Sequence, residues 1–226
     1  LGTKKLMQDH DIDMGDWQIQ QQQLEKQGKT AMLIAVDQQV IGLLAVADTI
    51  RDSAKSAVTA LKKRGLQIIM LTGDNQLTAD AIALELGIDK VIAEVLPEHK
   101  ADKIRELRQQ GQVVAMVGDG INDAPAMAEA DVGIAMGSGT DVAIETADIA
   151  LMRADLNTVD TAIQLSHLTV RNIRQNLFWA FGYNSLGIPI AAAGLLAPWL
   201  AGAAMAFSSI SVVLNALRLQ RVKNIH

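Results

Sequence analysis

Val117-Gly-Asp-Gly-Ile-Asn-Asp-Ala-Pro125 closes an apolar strand pattern with a turn that carries two carboxylates. A plain turn needs two or three turn-forming residues, whereas this one has six in eight. Gly118 and Gly120 let the backbone turn sharply, which leaves Asp119 and Asp123 four residues apart at the end of the strand. Because hard carboxylate oxygens suit Mg²⁺, the run predicts a magnesium site.

Apolar strand patterns alternate with helical patterns on both sides of this run. The alternation predicts a doubly wound α/β domain with a parallel sheet, whose active site lies at the carboxyl ends of the strands. The predicted strands are 66–71, 90–96, 112–117 and 132–136, and the predicted helices are 53–63, 76–86, 98–110 and 122–129. A small α+β unit precedes them, with a helix at 13–27 and strands at 31–36 and 40–47.

Two further polar clusters follow predicted strands. Thr72-Gly73-Asp74 comes after one strand, and Lys100 begins the helix that follows the next. A phosphoryl group needs donors and cations aimed at its charged oxygens, and a hydroxyl, a glycine N–H and an ammonium group supply them. Alone, the first cluster could be a plain turn and the lysine a solvated charge. All three clusters in this order favour a phosphoryl-transfer site.

These clusters resemble the motifs of the P-type ATPases, a branch of the haloacid-dehalogenase-like superfamily. The run at 117–125 is similar to the hinge motif of that family, Thr72-Gly73-Asp74 to its second motif and Lys100 to its third. The resemblance covers essentially the whole chain. It implies a haloacid-dehalogenase-like phosphorylation domain that uses Mg²⁺ and ATP and works through an aspartyl phosphate.

The resemblance also implies roles for single residues. Asp119 would bind Mg²⁺ together with Asp123, and Asn122 and Asp123 would hold the hydrogen-bond network beside the ion. The residues expected at the phosphoryl group are Thr72, Gly73, Asp74 and Lys100.

Two residues match nucleotide-site positions of the family. Asp48 lies in a short acidic motif, although capping of the following helix together with Asp52 is an equal alternative. Gly2 matches a glycine of the nucleotide pocket, but it is followed by Thr3 where the family often has Asn.

By the resemblance, residues 1–41 are the C-terminal remnant of a nucleotide-binding domain and 42–155 the phosphorylation domain. A linking helix, predicted at 156–175, and two transmembrane helices, at about 177–197 and 199–217, would occupy 156–226. The family's nucleophile lies in Asp-Lys-Thr-Gly-Thr, a motif that these residues lack. Since the chain also begins at Leu1 without an initiator Met, we interpret it as a fragment that forms no phosphoenzyme alone.

The membrane prediction rests on the distribution of charge. Residues 175–217 contain no charged side chain and no His, and this length fits two membrane helices with Pro198 in the turn between them. Arg174 and Arg218 flank the uncharged segment, so the positive-inside rule places both of its ends in the cytoplasm. The alternative is a buried helical pair in a soluble protein.

The uncharged segment also carries the evidence on the transported ion. Tyr183 and Asn184 in its first helix, and Met205 and Ser209 one turn apart in its second, resemble the copper(I) branch of the family. A thioether is a soft ligand that selects Cu⁺. Ordinary helix packing explains the same residues, and a Cu²⁺ or Zn²⁺/Cd²⁺ transporter is the alternative within the family.

The resemblance implies an integral protein of a bacterial cytoplasmic membrane, with the soluble domain in the cytoplasm. The expected partners are the rest of the polypeptide, including the actuator domain, the phosphorylated Asp and other transmembrane helices, together with the lipid bilayer and a copper chaperone. The net charge of −5 argues against nucleic acid, and no cysteine is present to form a thiolate site. A soluble phosphatase of the same superfamily and a non-enzymatic membrane regulator are the rival functions.

Overall fold

The computed structural model describes residues 1–47, 49–120, 122–137, 141–194 and 198–220. The chain divides into two compact units, Leu1–Thr158 and Val159–His226.

The first unit begins with two short helices and a β-hairpin. These elements are α1 (Lys4–Asp9), α2 (Trp17–Glu25), β1 (Thr30–Val36) and β2 (Gln39–Val46), with β1 and β2 antiparallel. Leu33 of β1 is fully buried, and Met7 and Met14 pack with it into a small apolar core. The buried side chain of Gln21 donates to the carbonyl oxygen of Ala31 at 3.0 Å, which attaches α2 to the hairpin.

Alternating helices and strands form the rest of this unit. They are α3 (Asp52–Lys63), β3 (Ile69–Leu71), α4 (Gln76–Leu86), β4 (Lys90–Ile92), a 3₁₀ turn (Pro97–His99), α5 (Lys100–Gln109), β5 (Ala115–Gly118), α6 (Ala124–Glu129), β6 (Val132–Met136), α7 (Asp141–Thr146) and β7 (Ile149–Leu151). The strands pair in parallel, β3 with β4 and β5 with β6 and β7, as the sequence predicts.

Among the described residues, the parallel strands form two ladders rather than one continuous sheet. The neighbouring edges belong to β3 and β5. A cavity of about 380 Å³ lies beside both strands, and Ile69 and Leu71 of β3 line it together with Val114 and Met116. In the described part of the chain, the edges of β3 and β5 that face this cavity do not hydrogen-bond to each other.

A buried cluster beneath the second ladder positions the loop after β5. Ile104 of α5, Ala124 and Met127 of α6, and Ala135 of β6 pack around Met116 of β5. Burial of these side chains fixes where β5 ends and where α6 begins, because close-packed interiors tolerate little displacement.

Ion pairs attach α5 to the end of α6 and to the residue before β6. Arg105 contacts Glu129 at 3.1 Å, and Arg108 contacts Asp131 at 2.9 Å. The backbone N–H of Val114 donates to the Asp131 carboxylate at 2.8 Å. This hydrogen bond, and next the Arg108 guanidinium, lower the pKa of Asp131, and Arg105 lowers the pKa of Glu129.

These lowered pKa values predict an acid-sensitive stability. A carboxylate whose pKa is lower in the folded state stabilises the fold above its unfolded pKa, and that contribution disappears as the pH falls through the folded pKa. We therefore expect the urea midpoint of the chain to fall as the pH drops below about 4. The variant Asp131→Asn should have a lower midpoint at pH 7 and a shallower dependence on pH.

Asp9→Asn, at an exposed position of α1, is the matched control and should keep the wild-type pH profile. An unchanged slope in Asp131→Asn would contradict this account of the acid sensitivity.

Two long helices dominate the second unit: α8 (Asn157–Ala192), which begins just before the boundary between the units, and α9 (Pro198–Gln220). Three asparagines join them. Asn172 donates to the backbone oxygen of Asn215 at 2.8 Å, Asn215 donates to the side chain of Asn176 at 2.9 Å, and Asn176 donates to the side chain of Asn172 at 3.0 Å.

In the described part of the chain, none of the helices combines the length and the apolarity that crossing a membrane requires. The predicted spans at about 177–197 and 199–217 are therefore not confirmed, and residues 195–197 lie outside the described part. Polar residues at 183–185 interrupt the apolar pattern of α8.

Candidate functional site

The acidic turn lies between the carboxyl end of β5 and the start of α6. Gly118 is the buried last residue of β5, and Asp123 directly precedes α6. The backbone N–H of Asp123 donates to the carbonyl oxygen of Gly120 at 3.0 Å, and the N–H of Met127 donates to the carbonyl oxygen of Asp123 at 2.8 Å. A Cβ atom on Gly118 would lie only 2.6 Å from the Cβ atom of Asp123, so this close approach requires glycine.

An ion pair connects this turn to the start of α5. Lys100 is the first residue of α5, and its Nζ lies 2.7 Å from Oδ1 of Asp123. The two side chains are only 16% and 15% exposed, so water screens their attraction less than it screens a surface pair. The pair holds an ammonium group beside the carboxyl end of β5.

Asp119 and Asp123 line one cavity of about 410 Å³. Its other lining residues come from the segment before α3, from α3, α4, β5 and β6, and from the segment before α8: Thr49, Ile50, Arg51, Ala54, Ile82, Leu86, Val117, Gly118, Met136 and Leu156. The carboxylate of Asp119 is exposed, whereas that of Asp123 is occupied by Lys100.

These two carboxylates fit a Mg²⁺ ion. Mg²⁺ is usually held by one or two carboxylates, with waters and phosphate oxygens completing its shell. In the described ranges of the chain, no group of three or more His, Cys, Asp or Glu side chains is placed to hold a metal. Two carboxylates would leave the rest of the shell of a bound Mg²⁺ ion to waters and phosphate oxygens.

Thr72, Gly73 and Asp74 form a compact turn at the carboxyl end of β3. The hydroxyl of Thr72 donates to the Asp74 carboxylate at 2.8 Å and accepts from the N–H of Asp74 at 3.1 Å. The N–H of Val95 donates to the carbonyl oxygen of Thr72 at 3.1 Å. These bonds are those of an ordinary turn, so a role at a phosphoryl group stays a prediction.

The structure thus brings only part of the predicted site into direct contact. Lys100 and Asp123 are bonded, and Asp119 shares their side of the fold through the common cavity. Thr72 lies at the end of another parallel strand, and its hydroxyl is bonded to Asp74. Asn122 is exposed in the turn.

The two nucleotide-site predictions have different outcomes. Asp48 lies outside the described residues. Gly2 pairs with Leu33, its N–H donating to the carbonyl oxygen of Leu33 at 2.9 Å. A Cβ atom on Gly2 would overlap the side chain of Leu6, which is a packing reason for glycine at this position. A nucleotide role for either residue stays a prediction.

The predicted copper ligands lie on both long helices. Asn184 donates to the carbonyl oxygen of Ala180 at 3.0 Å, and Ser209 donates to the carbonyl oxygen of Met205 at 3.1 Å. Each polar group therefore bonds within its own helix, while Met205 is 71% exposed. The ring of Tyr183 lies 6.1 Å from that of Trp179. Copper binding by these side chains stays a prediction.

Sequence reasoning missed the three asparagines that join α8 and α9. Asn172 and Asn176 are one helical turn apart, and Asn215 lies among apolar residues near the end of the uncharged segment. The four-residue spacing of Asn172 and Asn176 was the available signal, because it places both amides on one face of a helix. A buried amide needs hydrogen-bond partners. The sequence alone could not show which helices the amides would connect.

Comparison with known proteins supports the resemblance inferred from the sequence motifs. The family model of the haloacid dehalogenase-like hydrolases matches residues 1–131. The copper-exporting P-type ATPase of Bacillus subtilis (strain 168) is 62% identical over 99% of the chain, and the protein of the same name in Staphylococcus haemolyticus (strain JCSC1435) is 60% identical over 99%. The chain spans about 28% of the length of these relatives. They confirm the resemblance to copper-transporting P-type ATPases.

Solved structures agree on the fold. One crystal structure of a zinc-transporting PIB-type ATPase matches with a TM-score of 0.77 and 42% identity, covering 91% of this chain and 34% of the other. A second crystal structure of a zinc-transporting PIB-type ATPase, in a different state, matches with a TM-score of 0.74 and 44% identity, covering 87% and 32%. The relatives in sequence and those in structure therefore differ in the metal that they are named for.

Proposed function

Because the chain belongs to the haloacid dehalogenase-like hydrolase family, we propose that it supplies the phosphorylation domain of an ATP-driven, copper(I)-exporting P-type ATPase. The observation that carries the proposal is the Lys100–Asp123 ion pair beside Asp119 at the carboxyl end of a parallel strand. A cation and an exposed carboxylate at this edge suit a phosphoryl group that arrives with Mg²⁺.

In this proposal each side chain binds or orients a charged group at the phosphoryl site. Asp119 would hold Mg²⁺, which neutralises charge on the phosphoryl oxygens when bound. Lys100 would direct its ammonium group at the same oxygens, and Asp123 would keep that group in place. The hydroxyl of Thr72 would donate to the phosphoryl group after releasing Asp74. ATP is the phosphoryl donor, and Gly2 and Asp48 are the proposed nucleotide contacts.

The gap between β3 and β5 supports an acceptor that comes from another part of a longer polypeptide. Most of its lining residues are apolar, and it is bordered by two strand edges that do not pair with each other, so it suits an additional parallel strand. Such a strand would end between the turns that carry Thr72 and Asp119. An aspartate in that place would lie where the phosphoryl group must be held, in the role that the family gives to Asp-Lys-Thr-Gly-Thr.

We propose a membrane location for the second unit, packed with helices from the rest of the polypeptide. The support is the uncharged segment 175–217 and the exposure of large apolar side chains such as Phe178, Leu186 and Phe207. The first unit would then lie in the cytoplasm of a bacterial cell, within reach of the actuator domain and a copper chaperone.

The proposed cargo is Cu⁺. Tyr183, Asn184, Met205 and Ser209 would contribute to its site, with Met205 as the soft ligand. The names of the relatives in Bacillus and Staphylococcus support copper, whereas the structural neighbours are named for zinc. Both metals therefore belong in the test.

A domain exchange tests the proposal. This chain replaces the matching 223 residues of the Bacillus subtilis copper-exporting P-type ATPase, and the hybrid is expressed in a copper-sensitive strain that lacks such a transporter. We expect the hybrid to restore growth in copper to nearly the level of the intact relative. Asp119→Asn in the hybrid should lower ATP hydrolysis at least a hundredfold, because it removes the proposed magnesium ligand.

Two further measurements distinguish copper from other metals and a transporter from a phosphatase. Growth in zinc or cadmium should not improve, and Met205→Ala should weaken copper resistance, whereas Met152→Ala, at a site 89% exposed, should not. Hydrolysis of a small phosphate ester by this chain alone would instead favour the phosphatase alternative. A stable hybrid that gives no resistance to any of these metals would refute the proposal.

A further inference from the structure

The second unit contains a basic pocket between its two helices. It is a cavity of about 920 Å³, lined by His167, Arg171 and Arg174 of α8 and by Arg218 of α9, with Phe178 and Trp179 on one side. No carboxylate belongs to the described lining. An array of three guanidinium groups and an imidazole without a negative partner favours an anionic occupant.

The asparagine cluster joins the two helices beside this pocket. Asn215, which is only 8% exposed, lines the pocket, and its hydrogen bonds to Asn172 and Asn176 hold α9 against α8. Arg218 follows Asn215 by three residues on α9, so these bonds bring it to the same pocket as Arg171 and Arg174.

The charges of the pocket are not neutralised within the chain as described. In that part of the structure, none of Arg171, Arg174 and Arg218 takes part in an ion pair. Guanidinium groups recognise phosphate through paired N–H donors, which makes arginine clusters typical of phosphate sites.

The pocket also lies where the charged and uncharged parts of both helices meet. The segment without charges begins one residue after Arg174 and ends one residue before Arg218. The rings of Phe178 and Trp179 pack edge to face at 5.6 Å on the uncharged side. Aromatic side chains next to basic ones are typical of the headgroup level of a bilayer.

We propose that this pocket binds the phosphate of an anionic phospholipid headgroup, a proposal that rests on the membrane location proposed above for the second unit. The three arginines would contact the phosphate, and Phe178 and Trp179 would lie against the upper part of the acyl chains. The lipid would then bridge α8 and α9 at the level of the asparagine cluster.

Fluorescence of Trp179 tests the proposal. In the full chain carrying Trp17→Phe and Trp199→Phe, Trp179 is the remaining tryptophan. The protein is reconstituted in phosphatidylcholine vesicles that contain increasing amounts of phosphatidylglycerol brominated near its headgroup. We expect saturable quenching at low mole fractions, and brominated phosphatidylcholine should quench only in proportion to its amount.

Arginine variants identify the site. Arg174→Gln and Arg218→Gln should each weaken the phosphatidylglycerol response about fivefold at low salt. Arg153→Gln, at an exposed position of the first unit, is the control and should change nothing. Native mass spectrometry of the unsubstituted chain should show phosphatidylglycerol retained in preference to phosphatidylcholine, which covers the case in which the tryptophan variants fail to fold.

Each remaining outcome overturns the proposal in a distinguishable way. Equal quenching by both lipids would leave the membrane location standing and refute the pocket. Absence of quenching by either lipid would refute both. Loss of the phosphatidylglycerol response in millimolar inorganic phosphate would identify a site for free phosphate instead. Copper resistance in the hybrid transporter is measured separately, so its failure would not be mistaken for failure of the lipid site.

Discussion

Alanine at position 118 is expected to disrupt the acidic turn and to lower the free energy of unfolding by roughly 2 kcal/mol. The new Cβ atom would lie 2.6 Å from the Cβ atom of Asp123 and 2.9 Å from one of its carboxylate oxygens. Asp123 cannot yield easily, because its backbone begins α6 and its carboxylate is bonded to Lys100. Urea denaturation of Gly118→Ala beside the wild type measures the effect.

Gly120→Ala is the matched control in the same turn. A Cβ atom on Gly120 would have its nearest neighbour at 3.9 Å, which is an ordinary contact. This variant should therefore unfold within about 0.5 kcal/mol of the wild type. In the hybrid transporter, Gly118→Ala should lose copper resistance and Gly120→Ala should retain much of it. Equal stabilities of the two variants would show that the turn adapts and that the glycine at 118 is not required by packing.

Elements with strong local signals could be predicted from the sequence to the residue. Helix α4 covers 76–86 as predicted, because Asn75 caps its first turn by accepting from the N–H of Thr78 at 2.9 Å. Gly87 ends it with a φ of 71°, a conformation that favours glycine. Strand β6 also has its predicted bounds, 132–136, because it is paired on both edges.

Elements that depend on partners were predicted less well. The apolar segments 66–71 and 90–96 predict long strands, but only Ile69–Leu71 and Lys90–Ile92 pair. After β4 the chain leaves the ladder, because Glu94 has a φ of 56° and its N–H donates to the carbonyl oxygen of Asp74 at 2.9 Å. Strand β7 was missed because three residues are too few to show a period.

The linking helix, which the sequence pattern predicts at 156–175, continues in the structure to Ala192. Its sequence changes from charged to uncharged after Arg174, and such a change suggests the end of one element and the start of another. The backbone hydrogen bonds of a helix do not depend on side-chain charge, so composition marked a change of surroundings rather than a helix boundary. Pro189 lies inside the same helix without ending it.

In the candidate site, too, the sequence indicated which residues belong together but not the contacts that their side chains make. The motif residues and their order along the chain indicated that Lys100 and Asp123 belong together, and the structure places them 2.7 Å apart. Sequence could not show that the Thr72 hydroxyl is bonded to Asp74, or that Asp119 is the exposed carboxylate of the pair. Those details depend on side-chain geometry that several elements determine together.

Replacing Lys100 by methionine is expected to have the largest effect of all, because it alters both stability and the proposed chemistry. Asp123 would keep its charge at a site where its side chain is 15% exposed and has lost its cation. Breaking an ion pair that is mostly buried leaves an uncompensated charge, at a cost on the order of 2 kcal/mol at this degree of exposure. In the hybrid transporter, Lys100→Met should also abolish copper resistance, since no cation would face the phosphoryl oxygens.

A double-mutant cycle separates the ion pair from simple loss of packing. Asp123→Asn alone should cost a similar amount, but Lys100→Met combined with Asp123→Asn should cost about 1 kcal/mol less than the sum, because no charge then remains unpaired. Lys103→Met removes an exposed partner of Glu106 from the same helix and should cost less than about 0.5 kcal/mol. If the two single effects simply add, Lys100 and Asp123 do not stabilise each other. The ion pair then no longer supports the proposed site.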